Sequence, residues 1–460
     1  MNHTMRKQMK SVVIILFWLA VWQIAAVCID NHILLVGPGQ VLYAFAYNMI
    51  QPDFMKIVMH SFVRIGLGFF LALFAGLVLG AVSYRFTIME EILAPAVQAV
   101  KSIPVASFVV ILLVWFGSQK ISFFISFLIV FPNVYVNMIA GMKSADAKLL
   151  QMAQVFGVGR GKRFFYLYRP AVMPYLVSSL KISLGMSWKS GVAAEVIGLS
   201  DYSMGERLYL SKIYLDTAGL FSWTLTIILV SFLFEKTMLW LVQIFEDWKP
   251  YPSIRAKRYN VPEKEAVSDT IWIKKVYKSY TLVPVLNNLS MSMTQGNRYL
   301  LMAPSGGGKT TLLKLLTGLE NADSGDISGM PAHIGMVFQE DRLCEEYDAV
   351  CNIMLGMKGA GMENTIEYVR REAGKILPQE CLTKPVRELS GGMRRRVSLL
   401  RAVLSSSDML ILDEPFTGLD EENRLHCAEY LLKNLGSRTL LVTTHREDDV
   451  ELLRGIKITL

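Results

Sequence analysis

The first 248 residues of this chain are dominated by long apolar stretches almost free of charge, and nothing else in the sequence constrains its fold so strongly. Such runs occupy 12–29, 65–83, 103–117, 121–140, 171–199 and 219–234, the last continuing to 245. Hydrocarbon offers no water to a peptide group, so each run must bond its own backbone, and a helix of about 18 residues does so across a bilayer core of about 30 Å. The expectation is a multi-pass helical membrane domain of about six spans. The shortest run, 103–117, is expected to borrow length from 91–101. Whole-chain composition, 52% hydrophobic and 19% charged, reflects this half.

The 12–29 run follows Arg6 and Lys7 and is read as a first span. Ala25-Ala26-Val27-Cys28 resembles a lipoprotein cleavage site only weakly, because Val27 is bulkier than the small residue usual there. Between Gly141 and Pro170 stand Lys143, Lys148, Arg160, Lys162, Arg163 and Arg169 against one acid, Asp146. Positive loops stay in the cytosol, so this loop, the basic N-terminus and the C-terminal half are expected on the cytoplasmic side. The net charge of +8 is thereby explained without nucleic acid, and no basic-aromatic module suggests that partner. Five cysteines form neither a CxxC pair nor a Cys/His cluster, which argues against a zinc site or a disulfide framework.

Residues 151–175 read QMAQVFGVGRGKRFFYLYRPAVMPY, a short helix, a turn at Gly157 and Gly159, and a second helix. Here the chain resembles the permeases of ABC importers. Ala153, Gly157, Leu167 and Pro170 fall at the positions of their EAA loop, while Gln151, Met152 and Arg169 depart from it. The resemblance implies a coupling helix that docks on the ATPase. It extends to VGPGQVLYAF, KSIPVASFVVILLVWFG and SWKSGVAAEVIGLSDYSMGERL, and is closest to permeases for sulfonates, taurine, nitrate and thiamine precursors. Ionisable groups at membrane depth are costly. Lys189 or Glu195 therefore faces a pathway, or else Lys181 and Glu195 lie at the interfaces and snorkel.

Residues 249–270 read as a linker, with Lys249, Arg255, Lys257 and Arg258 placed to meet anionic headgroups. From 271 to 460 the pattern becomes that of a soluble α/β domain. The apolar strand 298–302 leads into APSGGGKTT and a helix, as a phosphate-binding loop requires. Backbone N–H groups of Gly306, Gly307, Gly308 and Lys309 wrap a phosphate, Lys309 supplies a point charge, and the Thr310 hydroxyl suits Mg²⁺. Ala303 replaces the first glycine of the motif. A second apolar strand ends in Asp413, suited to Mg²⁺ through water, and Glu414, suited to deprotonate an attacking water.

LSGGMRRRV at 389–397 resembles the ABC signature, with Met393 where many members have Gln. The resemblance implies a P-loop NTPase of the ABC cassette class and brings further residues with it. Ser305 and Thr311 join the nucleotide loop; Tyr280 stacks on adenine; Gln339 senses Mg²⁺ and the attacking water; Asp420 belongs to the D-loop; His445 contacts the γ-phosphate. Ser390, Gly391 and Gly392 would hold the γ-phosphate of ATP bound to a second copy. The β-subdomain is expected to be trimmed, and the stretch after His445 too short for a regulatory domain. The function implied is ATP-driven import of a small anionic or heterocyclic solute across the cytoplasmic membrane. It implies a homodimer, a separate extracytoplasmic binding protein, and a cassette in the cytosol. An ABC exporter half and a membrane-tethered regulatory ATPase are the alternatives.

Overall fold

The computed structural model describes residues 3–252, 270–280, 283–304, 306–357 and 365–460. The chain divides into two compact units, Met1–Ser144 with Val172–Trp248, and Ala145–Ala171 with Lys249–Leu460.

The first unit is helical. Among the described residues four helices are long and apolar enough to cross a membrane: Val12–Ile29, Phe54–Arg85, Ser118–Lys143 and Thr217–Asp247. A fifth crossing would need Thr87–Ser102 and Val105–Phe116 together, and these meet at 105°. The expected extension of the 103–117 span by 91–101 is therefore corrected. Pro104 has no N–H and forces the residue before it out of the helical region, so Ile103 is extended (φ −80°, ψ 132°) and the first helix stops at Ser102. The remaining expected span is the 30-residue helix Arg169–Gly198, which is long enough to cross but less uniformly apolar because it carries Lys181, Lys189 and Glu195.

Phe54–Arg85 and Ile121–Lys143 approach closely because glycines face the contact: a Cβ at Gly76 would lie 2.8 Å from Val134 and one at Gly80 2.8 Å from Met138. Phe62, Phe69, Trp188 and Phe234 fill the centre, with ring centroids 5.5–5.9 Å apart. Glu195 does not snorkel. It is fully buried and accepts a hydrogen bond from Ser61 Oγ at 2.8 Å, whereas Lys181 and Lys189 are exposed.

The second unit contains β1 Thr270–Tyr280, β2 Val283–Thr294, β3 Arg298–Met302, β4 Ser324–Ser328, β5 Ile334–Val337, β6 Met409–Asp413, β7 Thr439–Thr443 and β8 Ile456–Thr459. Three of them form an antiparallel sheet, β2-β1-β4, and five a parallel sheet, β5-β6-β7-β3-β8. Every residue of β6 and β7 is buried, which explains why both read as continuous apolar runs instead of alternating ones. The C-terminal ends of β3, β6 and β7 lie side by side, the usual address of a site in such a sheet.

Residues 145–171 belong to this unit. Asp146 caps the helix Ala147–Val155 by accepting from Lys148 N at 2.7 Å. The chain then turns at Gly157, whose φ of +60° favours glycine, and resumes as Arg160–Arg163 and Phe164–Tyr168. Met152, Ala153, Phe156, Val158, Tyr166 and Leu167 merge into the core of the α/β unit. Lys249, read as placed to meet anionic headgroups, pairs with Glu346 (3.6 Å) while both side chains stay more than 40% exposed; Arg255, Lys257 and Arg258 lie outside the described residues.

Candidate functional site

The loop after β3 turns back on itself through Gly307 N, which donates to Pro304 O at 3.0 Å. Gly308, at φ +83°, caps the helix Lys309–Leu316 in a left-handed conformation closed to most side chains. Ser305 lies outside the described residues; Thr311 is buried in the first turn. Lys309 Nζ folds over the loop to Ala303 O at 2.8 Å and stands 3.1 and 3.3 Å from the ring nitrogens of His445.

His445 follows β7, and its Nε2 is 2.5 Å from Glu414 Oε1. Thr310 Oγ1 reaches Asp413 Oδ2 at 3.4 Å, while Thr443 Oγ1 donates to Asp413 Oδ1 at 2.6 Å. Burial pushes the Asp413 carboxyl above the usual carboxylate range, with the Thr443 bond working against it. Five of the residues singled out in the sequence, Lys309, Thr310, Asp413, Glu414 and His445, thus meet at the ends of three adjacent strands. Glu414 has a φ of +48°, uncommon for a non-glycine residue; its N–H is held by Thr443 O and Oγ1, both at 3.1 Å.

Among the described residues, Gln339, Tyr280, Ser390 and Asp420 make no direct side-chain bond to these five. Gln339 is exposed just beyond β5, and it shares a bracing arginine with Glu414 through its carbonyl. Tyr280 ends β1 with its hydroxyl on Glu320. Ser390 caps the helix Gly391–Val403 by accepting from Met393 N at 3.3 Å. A Cβ on Gly392 would meet Gly418 O at 3.4 Å, so the Ser-Gly-Gly turn lies beside the loop that ends in Asp420. Asp420 accepts from Asn423 N at 2.8 Å, a bond that holds its carboxyl below the ordinary range.

Sequence reasoning missed two arginines of the Gly391–Val403 helix. Arg395 is almost fully buried, 4% exposed. Arg401, fully buried, donates to Arg342 O (2.7 Å) and Asp341 O (3.0 Å) and lies 5.3 Å from the Phe156 ring of the 145–171 segment. That segment is seated by further bonds. Gln151 Oε1 accepts from Arg342 at 2.9 Å, Lys148 pairs with Glu340 at 2.7 Å, and Tyr347 OH donates to Phe165 O at 3.1 Å. Gln151 and Met152, departures from the EAA pattern, are therefore contact residues here, Met152 being fully buried.

Two family models match the chain: binding-protein-dependent transport system inner membrane component over 68–248, and ABC transporter over 286–417. Among curated proteins, the Nod factor export ATP-binding protein I of Cupriavidus pinatubonensis is 33% identical, over 43% of this chain and 64% of its own length. The aliphatic sulfonates import ATP-binding protein SsuB 3 of Rhodococcus jostii is 36% identical, over 38% of this chain and 65% of its own. The taurine import ATP-binding protein TauB of Yersinia pestis is 34% identical, over 39% of this chain and 75% of its own. The chain thus spans somewhat under two thirds of the first two relatives and three quarters of the third.

Proposed function

Because the chain belongs to the ABC transporter family, with an inner-membrane transport component and an ATP-binding cassette in one polypeptide, we propose that two copies assemble to import a small anionic or heterocyclic solute, driven by ATP hydrolysis. A separate extracytoplasmic binding protein delivers the solute, and the cassette works on the cytosolic side of the cytoplasmic membrane. The observation that carries this reading is the linkage of Lys309, His445, Glu414, Asp413 and Thr310 at the ends of three parallel strands.

Lys309 exchanges the Ala303 carbonyl for the β- and γ-phosphates of ATP, and the N–H groups of 306–309 surround them. Glu414 takes a proton from the water that attacks the γ-phosphorus, and the bond to ADP breaks as the new P–O bond forms. His445, already against Glu414, holds the γ-phosphate side of that water. The hydroxyl of Thr310 and the carboxylate of Asp413 are hard oxygens 3.4 Å apart, a donor set that suits Mg²⁺ retaining several waters, with Gln339 as a third contributor. When bound, Mg²⁺ supplies charge neutralisation on the phosphates. The helix starting after Ser390 presents its N–H groups to the nucleotide of the partner copy, and the 145–171 segment carries the closing motion to the membrane unit.

Proteoliposomes with the cassette facing out test the reading. Solute supplied inside on its binding protein should stimulate ATPase activity and move outward, the equivalent of import. Nod factor export by one relative favours the reverse direction as the second reading. Solute accumulating inside those vesicles without any binding protein would establish that reading, and ATPase activity indifferent to every solute would sink both.

A further inference from the structure

Arg395 is 4% exposed and has no part in the chemistry just described. Its guanidinium divides between two loops that are distant in sequence. Nη1 donates to Phe338 O (2.6 Å), Gln339 O (3.2 Å) and Asp341 Oδ1 (3.2 Å). Nη2 donates to Asp413 O (2.7 Å) and Glu414 O (2.6 Å), and Nε to Pro415 O (3.2 Å). Asp341 is the one carboxylate among these acceptors; the other five are backbone carbonyls.

A guanidinium taken out of water is a poor way to gain stability, since a well-packed apolar side chain of the same volume usually does as well or better. What the fork achieves is geometric. The backbone of Gln339 and of Glu414 is fixed to one rigid group, and that group belongs to the residue three positions past the Ser390–Gly391–Gly392 turn. Glu414 needs such support because its φ of +48° is a strained conformation for a non-glycine residue. Thr443 holds its N–H and Arg395 its carbonyl.

We infer that Arg395 is a positioning residue for hydrolysis, fastening the proposed base Glu414 and the proposed sensor Gln339 to the helix whose first turn serves the partner's nucleotide. The inference rests on the function proposed above. A lysine cannot substitute, because three donors at one point do not reach carbonyls on both sides as a planar fork does. Removal of Arg395 leaves the Lys309 loop intact, so nucleotide binding and turnover should separate.

The test uses the full chain in lipid nanodiscs. Radiolabelled ATP binding, steady-state ATPase activity and melting temperature are measured for wild type, Lys309→Ala, Arg395→Lys and Arg395→Ala. A base displaced by about 1 Å costs about 100-fold in turnover. The expected result is a kcat lowered by that order in both Arg395 variants, with ATP affinity within about threefold of wild type, and partial recovery of Arg395→Ala turnover by added methylguanidinium. Turnover within about twofold of wild type overturns the inference. So does joint loss of binding, turnover and melting temperature without recovery by methylguanidinium, which is the pattern of a purely structural residue. If Lys309→Ala binds ATP as well as wild type does, the proposed nucleotide site fails instead.

Discussion

Gly356→Ala adds one methyl group at the point where the 145–171 segment is seated, and the structure sets the size of the effect. Gly356 has φ −79° and ψ −14°, a conformation alanine adopts freely, so crowding is the whole perturbation. The new Cβ would lie 2.8 Å from Arg401 Cγ, 3.1 Å from Arg401 O and 3.1 Å from Phe156 Cδ1. Arg401 cannot retreat, because its guanidinium is tied to Arg342 O and Asp341 O. Gly356 must therefore shift away from Arg401 and press on Phe156, which is 3% exposed. Overpacking of this kind costs about 1–3 kcal/mol, less than the 3–5 kcal/mol or so for losing a buried phenylalanine altogether. If that energy falls on the seating equilibrium, it changes by about 5- to 150-fold. Hydrogen exchange at the amides of 147–168 should accelerate, and solute moved per ATP should fall while ATP affinity stays unchanged. Gly161→Ala serves as control, since nothing lies within 4 Å of its notional Cβ. Unchanged exchange together with unchanged solute per ATP would refute the idea that Phe156 in this seat carries the coupling.

Glu414→Gln should retain ATP binding and lose about 10²- to 10⁴-fold in turnover, the range for removing a general base; normal hydrolysis would take Glu414 out of that role. Arg424 and Asp449 form an ion pair of 2.6 Å with both side chains under 5% exposed. Breaking it with Arg424→Ala should cost about 3–5 kcal/mol in denaturant unfolding of the cassette, and a loss below 1 kcal/mol or so would contradict the burial of the pair. Burial pushes the pKa of the Cys344 thiol up to about 12 and that of Cys427 up to about 11, from the ordinary thiol value of 9.0. Thiols whose folded pKa is raised contribute stability that is fully present below pH 9 and is lost as pH climbs through the folded values. Unfolding measured at pH 8 and again above pH 10 should show that loss, and alkylation of either cysteine at pH 8 as fast as in denaturant would disprove it.

The nucleotide loop and the strand ending in Asp413 were legible because each is local. A few adjacent residues carry both the chemistry and the strand-to-helix change that positions it. Arg395 was not legible, since its acceptors lie 57 residues back at Phe338 and 18 forward at Asp413, and only the parallel sheet brings them together. Glu195 stood out as a charge at membrane depth, yet its partner Ser61 is 134 residues away, so its burial could not be read from its own helix. The break after Ser102 did have a local signal, Ile103-Pro104, which the apolar character of the flanking runs outweighed in the expectation of one continuous span. Gln151 illustrates the converse: it looks like a defect in a pattern until Arg342 supplies its complement.

The corner at 102–104 also limits what can surround it. Val105–Phe116 has 12 residues and rises about 18 Å, so alone it is too short to cross a hydrocarbon slab of about 30 Å. Ile103 N–H still meets Ala99 O at 3.1 Å, but the carbonyls of Val100, Lys101 and Ser102 lie past the last helical turn, and acyl chains offer no donor. A corner of this kind is tolerated only where protein or water supplies those donors, which rules out a bare lipid-facing position for it.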